Sequence, residues 1–279
     1  PTFWRGKSMS DVASKWSDLV PRVLSALAML VIGIAVVWAG GLWMHLLVSL
    51  ACGLMVWELV RMLGSADAQM AMWLAFVSGG ALFAASYAPY ATLILPMLIA
   101  PSCVGFSMLR SGARPFTGRR IFMSYTAFIL IAGFSLIALR DDFGIIWMAW
   151  LLVVVIVTDV AGYFAGRILG GPKFWPRVSP KKTWSGTVAG WIGAGFVGVV
   201  FASFFNGGPN VIYISVAVAL ASQLGDIAES AIKRHVGVKD SSSLIPGHGG
   251  LLDRFDGMLG AALLLIIIEF FVNFPPVAG

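Results

Sequence analysis

The stretch from Ser222 to Asp256, SQLGDIAESAIKRHVGVKDSSSLIPGHGGLLDRFD, holds acids, bases and glycines at a density unmatched in the rest of the chain. On an α-helix Asp226, Glu229 and Lys233 fall at i, i+3 and i+7, so they share a face, with Ser222 one turn earlier. Glu229 and Lys233 stand at i,i+4, which leaves both an ion pair and a functional role open to Glu229. Asp226 has Glu229 and Ser230 at the corresponding positions and so no base to pair with on its own helix. Asp253 and Asp256 repeat the three-residue spacing, where two acids could simply complement the dipole of a helix start. That explanation does not account for the Pro246-Gly247-His248-Gly249-Gly250 run before them. Hard divalent cations such as Mg²⁺ take one or two carboxylates and complete their shell with water and substrate phosphate. Asp226 and Asp253, from two helices, would leave coordination positions free for phosphate oxygens, which is the chemistry of phosphoryl or nucleotidyl transfer.

A second polar module, Ser179-Pro180-Lys181-Lys182-Thr183-Trp184-Ser185-Gly186, puts two lysines and several hydroxyls ahead of a helix. Free N–H groups and the helix dipole favour an anion there, although lysines at a membrane surface also meet lipid headgroups. Lys233, Arg234 and Lys239 are open to the same two readings. Asp159, like Asp226 and Glu229, falls near the cytoplasmic end of a span that leads into a basic loop, and ionisable residues at membrane depth are costly. Glu58, one turn before Arg61, reads as half of an i,i+3 pair, and Glu269 as a structural residue near the outer end of the last span. His248 invites assignment as a general base. A phosphomonoester with a second pKa of about 6 is largely dianionic at neutral pH and needs none, so phosphate hydrogen bonding or loop geometry suits His248 better. The other two histidines, His45 and His235, lie elsewhere, which disfavours zinc.

The remaining sequence has to hold these groups in place. Charged residues are only 11% of the chain and hydrophobic residues 59%, with a mean hydropathy of +0.89. A soluble domain carries about 25% charged residues, so this composition belongs to a bilayer. Apolar windows of roughly 20 residues fall at 22–39, 42–61, 70–88, 91–109, 121–139, 145–166, 186–205, 210–232 and 257–273. Alternating them across the membrane places 18 of the 19 lysines and arginines on one side, with Arg140 alone opposite. The positive-inside bias makes that side cytoplasmic. The expectation is an all-α polytopic transmembrane bundle of about nine spans, with a cytoplasmic N-terminus and the C-terminus outside. Residues 1–20 form an amphipathic cytoplasmic segment, 21–140 hold five spans, and 141–279 form a catalytic region of four spans with two cytoplasmic loops. The net charge of +6 is then explained by topology and by anionic lipids or nucleotide phosphates, not by nucleic acid. In the seventh span Gly186, Gly190, Ala194 and Gly198 make a face of small residues that lets another helix approach closely.

The motifs of the C-terminal half resemble the phosphatidate cytidylyltransferase family, also called CDP-diacylglycerol synthases. Its signature is matched here by Ser230, Lys233-Arg234, Lys239-Asp240, Pro246, His248-Gly249-Gly250, Asp253-Arg254 and Asp256 at the family's spacing. The Ser179–Trp184 module and Gln223-Leu224-Gly225-Asp226 look like two further landmarks. Where many members have Asp-Thr-Gly-Ala-Tyr this chain has Asp159-Val160-Ala161-Gly162-Tyr163, and Gly257 follows the final aspartate where many have Ser. Both differences keep the carboxylate. The resemblance implies transfer of CMP from CTP to phosphatidate with release of pyrophosphate, in a membrane-embedded homodimer that uses a divalent metal, usually Mg²⁺. It also implies metal coordination by Asp226 and Asp253. Asp256 and Asp159 are assigned as neighbouring helpers in the metal set, with a second cation left open. Lys233 and Arg234 are assigned to catalysis, and Ser179, Lys181, Lys182, Ser185, Lys239, Asp240, His248 and Arg254 to substrate binding. Lipid would arrive sideways from the bilayer, and CTP from the cytoplasm, at the inner face of the cell membrane. Rival expectations are a cytidylyltransferase for another lipid phosphate, such as an isoprenoid glycerol ether, and a secondary transporter with acids at the membrane midplane.

Overall fold

The computed structural model describes residues 9–64, 66–109, 115–205, 207–272 and 274, with side chains from residue 21 onward apart from 115, 116 and 270. The apolar face expected within residues 1–20 therefore lies outside the described side chains. Eight helices and one hairpin follow in order: α1 Met9–Ala39, α2 Gly41–Leu63, α3 Ala68–Ser86, α4 Ala91–Met108, α5 Pro115–Ile168, β1 Lys173–Trp175, β2 Ser179–Thr183, α6 Trp184–Phe204, α7 Asn210–Val236 and α8 Leu252–Phe271. The antiparallel β1–β2 pair is a departure from an all-helical chain, and it carries the two-lysine module.

Local chemistry sets the helix ends. Asp67 caps α3 by accepting the Met70 amide at 2.8 Å, and Thr183 caps α6 through the Gly186 amide. Left-handed Gly64 and Gly237 close α2 and α7. The α1–α2 turn falls on Gly40, in the gap between the first two expected spans. There Arg140, the one basic residue assigned to the outer side, donates to the carbonyls of Val37 and Trp38. A cation at a helix C-terminus satisfies carbonyls that have no partner within the helix.

Among the described residues seven helices are long and apolar enough to cross a membrane: 21–39 of α1, then α2, α3, α4, 117–168 of α5, α6 and α7. Their outward faces are those of a membrane protein, with Trp38, Phe76, Phe196 and Tyr213 each at least 70% exposed. α5 is 54 residues long and is broken at Gly144, whose φ of 84° is not helical. At 1.5 Å per residue an unbroken helix of that length would reach about 80 Å, against a hydrocarbon core of about 30 Å. The break falls in the gap, 140–144, between the expected fifth and sixth spans. α8 opens on Asp253, Arg254 and Asp256 and carries Glu269 near its end, which shortens its apolar run.

The interior is dominated by α2, α5, α7 and α8, with Leu59, Phe122, Leu130, Trp150 and Leu259 fully buried. The Trp150 indole donates to Ser215 at 3.0 Å, joining α5 to α7. The small-residue face of α6 does what its spacing implied. Gly186 lies against the Gly162 backbone of α5, and Gly198 against Ile212 of α7. α7 and α8 cross more tightly still. A Cβ on Gly225 would collide with the carbonyl oxygen of Asp256, and one on Gly260 with that of Ala221. This crossing brings the Asp226 turn of α7 beside the first turns of α8.

Candidate active site

Asp226 finds its base outside its own helix. Lys182 of β2 pairs with Asp226 Oδ2 at 2.6 Å, while Ser230 donates to Oδ1 at 3.2 Å. Lys182 also donates to the carbonyl of Gln223. The Gln223 side chain is itself fixed by the Trp191 indole at 3.0 Å and by the carbonyl of Thr187. The hairpin, α6 and α7 are thereby tied into one wall. With α5 it borders an open cavity of about 480 Å³ into which Asp159, Lys181, Lys182, Thr183, Gln223 and Asp226 bring polar groups. That volume lies in the range of small-molecule sites, roughly 300–1,000 Å³.

A second cluster is built around Lys233. Its ammonium contacts Glu229 at 2.5 Å and Asp253 Oδ1 at 2.6 Å, so the i,i+4 pair read from the sequence exists and is shared with α8. Asp253 Oδ2 accepts the amides of Ser241 and Gly250 and the Ser241 hydroxyl, all at 2.8–3.0 Å. Asp253 precedes the apolar segment 257–273. Burial alone would raise its carboxyl, but Lys233 and the Gly250 and Ser241 amides outweigh burial and hold it down at about 2. Asp256, one turn on, moves the other way. Burial and the neighbouring negative charge of Asp226 push it well above the usual carboxylate range.

Glu58 departs from its sequence reading. Its fully buried carboxylate accepts from the Ser242 hydroxyl at 2.6 Å, the Leu251 amide at 2.9 Å, the Leu252 amide at 2.7 Å and the Ser241 hydroxyl at 3.3 Å. It clamps the glycine-rich loop and satisfies free amides at the start of α8, where Asp253 sits. A lone acid in an otherwise apolar helix was the signal for it. Its partners, nearly 200 residues away in sequence, could not be read from local spacing.

The other expected residues are divided. His248 Nδ1 meets the Ser25 hydroxyl of α1 at 2.9 Å, and Arg254 donates twice to the His248 carbonyl. Arg234, Lys239 and Asp240 are exposed, and among the described residues none forms an ion pair. Ser185 donates to the Gly170 carbonyl and contacts Thr183, which anchors the loop before α6. Ser179 pairs with Trp175 at the start of β2. The structure thus gathers Asp159, Lys181, Lys182 and Asp226 around the cavity, places Lys233, Asp253 and Asp256 at the α7–α8 junction, and sets His248 against α1 with Arg254 holding its carbonyl.

A helical membrane protein whose carboxylates and lysines converge beside a glycine-rich loop belongs among the enzymes that handle phosphates at a lipid surface. The family is specific: residues 20–272 match the cytidylyltransferase family, and the chain belongs to it. It is 36% identical over 259 residues to a phosphatidate cytidylyltransferase of Brucella suis biovar 1 (strain 1330), covering 90% of this chain and 93% of that protein. Proteins of the same name match over about half their length, at 41% identity over 142 residues in Helicobacter pylori (strain ATCC 700392 / 26695) and 42% over 136 in Haemophilus influenzae (strain ATCC 51907 / DSM 11121 / KW20 / Rd).

Proposed function

We propose that the chain transfers CMP from CTP to phosphatidate, giving CDP-diacylglycerol and pyrophosphate. The observation that carries this is the Lys182–Asp226 pair on the wall of an open cavity large enough for a nucleotide. In this reaction a phosphatidate oxygen forms a new bond to the α-phosphorus of CTP. The bond to the bridging oxygen breaks, and pyrophosphate leaves with the electron pair. The attacking phosphate is already largely dianionic at neutral pH, so no protein base is required. Lys181 and Lys182 bind the triphosphate from the hairpin, and Lys233 with Arg234 serves the reacting phosphates from α7. Lys239 and Arg254 add positive charge, while Ser179, Ser185, Asp240 and His248 hold the loops that surround the substrates. Catalysis is then mainly positioning and charge stabilisation.

The residues suit a divalent cation. Four carboxyl groups, Asp226, Glu229, Asp253 and Asp256, face two lysines, Lys182 and Lys233, and the repulsion from Asp226 that Asp256 feels is what a cation between them would relieve. Among the described residues no three such side chains form a ready-made cage, and Mg²⁺ needs only one or two carboxylates when phosphates complete its shell. Asp226 and Asp253 would hold the ion, with Asp256 and Asp159 beside them. When bound, it neutralises charge on the triphosphate.

The same reading takes Gly144 as a return turn and α8 as the last crossing, giving nine spans. The N-terminus and both active-site loops then face the cytoplasm at the inner membrane, and the C-terminus lies outside. The assembly proposed is a homodimer. Purified protein in detergent, given CTP, phosphatidate and Mg²⁺, releases pyrophosphate and forms CDP-diacylglycerol. Turnover with an isoprenoid glycerol ether phosphate but not with phosphatidate would favour the alternative lipid. No turnover with either, together with ion-driven flux in vesicles, would favour a transporter.

A further inference from the structure

α1 is tethered at its two ends and stands off the bundle between them. At one end Ser25 donates to the Pro246 carbonyl and meets His248. At the other, Arg140 holds the carbonyls of Val37 and Trp38. From Pro21 to Ala39 none of its residues is buried, whereas half of the most apolar window of α2 is. The gap is a cavity of about 330 Å³ between α1, α2, α5 and α8. No charged or hydroxyl side chain lines it, and five of its lining residues are methionines. Unbranched thioether chains adapt their shape, which suits a ligand with many conformations.

The mouth of this cavity has the opposite character. Arg22, Ser25, Met29, Ile32 and Val36 recur at three- and four-residue steps and so share one face of α1, polar first and apolar after. Arg22 lies over Gly247, where any Cβ would strike its Cγ. His248 stands on the same loop, Arg254 in the first turn of α8 donates to its carbonyl, and among the described residues neither Arg22 nor Arg254 has a carboxylate partner. From the other side Ile245, Leu251 and Phe255 line the apolar cavity, and the last two flank Asp253 in sequence. The rise from Ser25 to Val36 is about 16 Å, close to one leaflet of a roughly 30 Å hydrocarbon core.

We infer that this slot is the acyl-chain site for the lipid substrate: one fatty chain of phosphatidate lies between α1 and the bundle, its phosphate at the mouth formed by Arg22, His248 and Arg254. The inference rests on the proposed reaction. It gives α1 a task that its sparse packing otherwise leaves unexplained, which is to guide a bilayer lipid to the start of α8, where Asp253 sits.

Gly33 provides the test, because it lines the slot and a Cβ there meets nothing within 4 Å. Gly33→Phe sets a ring into the slot from a position whose Cβ is unobstructed. Expected is a fall of about tenfold or more in kcat/KM for dioleoyl-phosphatidate, with dihexanoyl-phosphatidate and the KM for CTP changed less than about twofold. Gly80→Phe on α3, where a Cβ is equally unobstructed, leaves both lipids as in the unaltered protein. An equal loss on both lipids, or no loss on either, overturns the inference. A second measurement needs neither a variant nor turnover. Phosphatidate carrying a diazirine at the chain end is photolysed with the unaltered protein in vesicles, and the labelled peptides are mapped. Label on residues 29–37 or 44–55 supports the slot, and label confined to other segments rejects it. An unaltered protein inactive on both lipids yet labelled in the slot would sink the proposed reaction and leave the binding site standing.

Discussion

The carboxylate of Glu58 accepts the backbone amide of Leu252 at 2.7 Å, which fastens the second helix to the first turn of the last. With the Leu251 amide and two serine hydroxyls it makes four hydrogen bonds from a side chain with no exposed surface. Glu58→Ala leaves those donors unsatisfied in a dry interior and is expected to lose about 2–4 kcal/mol of stability. Glu58→Gln keeps the shape but replaces one acceptor oxygen by an NH₂ group, so a smaller loss is expected. Thermal unfolding in detergent checks the order unaltered, Gln, Ala. The role is one of positioning, so activity at low temperature should recover further in the Gln variant than in the Ala variant.

Asp226 and Asp253 test the charge argument. Either residue changed to Asn should abolish CTP-dependent pyrophosphate release while the protein stays folded, as read by size exclusion and thermal unfolding. Near-normal turnover by a folded Asp253→Asn protein would remove that residue from the metal pair. Chelation of divalent ions should stop the unaltered enzyme, and added Mg²⁺ should restore it. For Asp256→Asn, raising Mg²⁺ should partly recover the rate, as expected of a neighbour that supports the site without holding the ion alone.

The acid limb of stability follows from Asp253. Its carboxyl is held at about 2 in the folded protein, below an unfolded value of about 3.9. A group lowered on folding stabilises the native state above its unfolded pKa and loses that contribution as pH falls through the folded one. The Lys233–Asp253 link should therefore weaken between about pH 4 and pH 2. In a comparison of midpoints across that window, Asp253→Asn should show a shallower decline than the unaltered protein. Parallel curves would mean that the link contributes nothing to stability.

Lys182 separates cavity from loop. Its ammonium touches Asp226 and the Gln223 carbonyl and makes no contact with Asp253. Lys182→Met should raise the KM for CTP and lower kcat by about 10²–10³, the scale of losing one charged donor at a phosphoryl centre. The KM for phosphatidate should change far less. An equal rise in both would place both substrates on the hairpin lysines.

Much of this was legible from spacing. Gly40, the small-residue face of α6 and the shared face of Asp226, Glu229 and Lys233 are local patterns, and helical periodicity carries them directly. What stayed hidden depends on contacts between distant segments. Nothing near Asp226 announces Lys182 of β2, and Arg61 made a plausible decoy partner for Glu58. The hairpin itself was concealed because Lys173–Thr183 is polar and rich in proline and lysine, with no alternation to mark a strand. Ser25 escaped notice because a single hydroxyl in an apolar helix bonds locally as a rule, here also to the Arg22 carbonyl.

The side of the membrane on which these residues sit can be tested without reference to catalysis. If Gly144 marks a return and α8 a crossing, Asp142 and Gly208 face one side, and Lys173 and Ser243 face the other. Introduce cysteine at each position in a Cys52→Ala, Cys103→Ser background, and treat sealed cells with a thiol reagent that cannot permeate the membrane. Residues 142 and 208 should react in sealed cells, and 173 and 243 only after permeabilisation. With nine alternating spans, 18 of the 19 lysines and arginines would lie on the side of Lys173, the arrangement that the positive-inside bias expects. Labelling of 142 together with 173 would mean that α5 does not turn back at Gly144. The carboxylates of α7 and α8 would then meet the wrong aqueous phase for CTP.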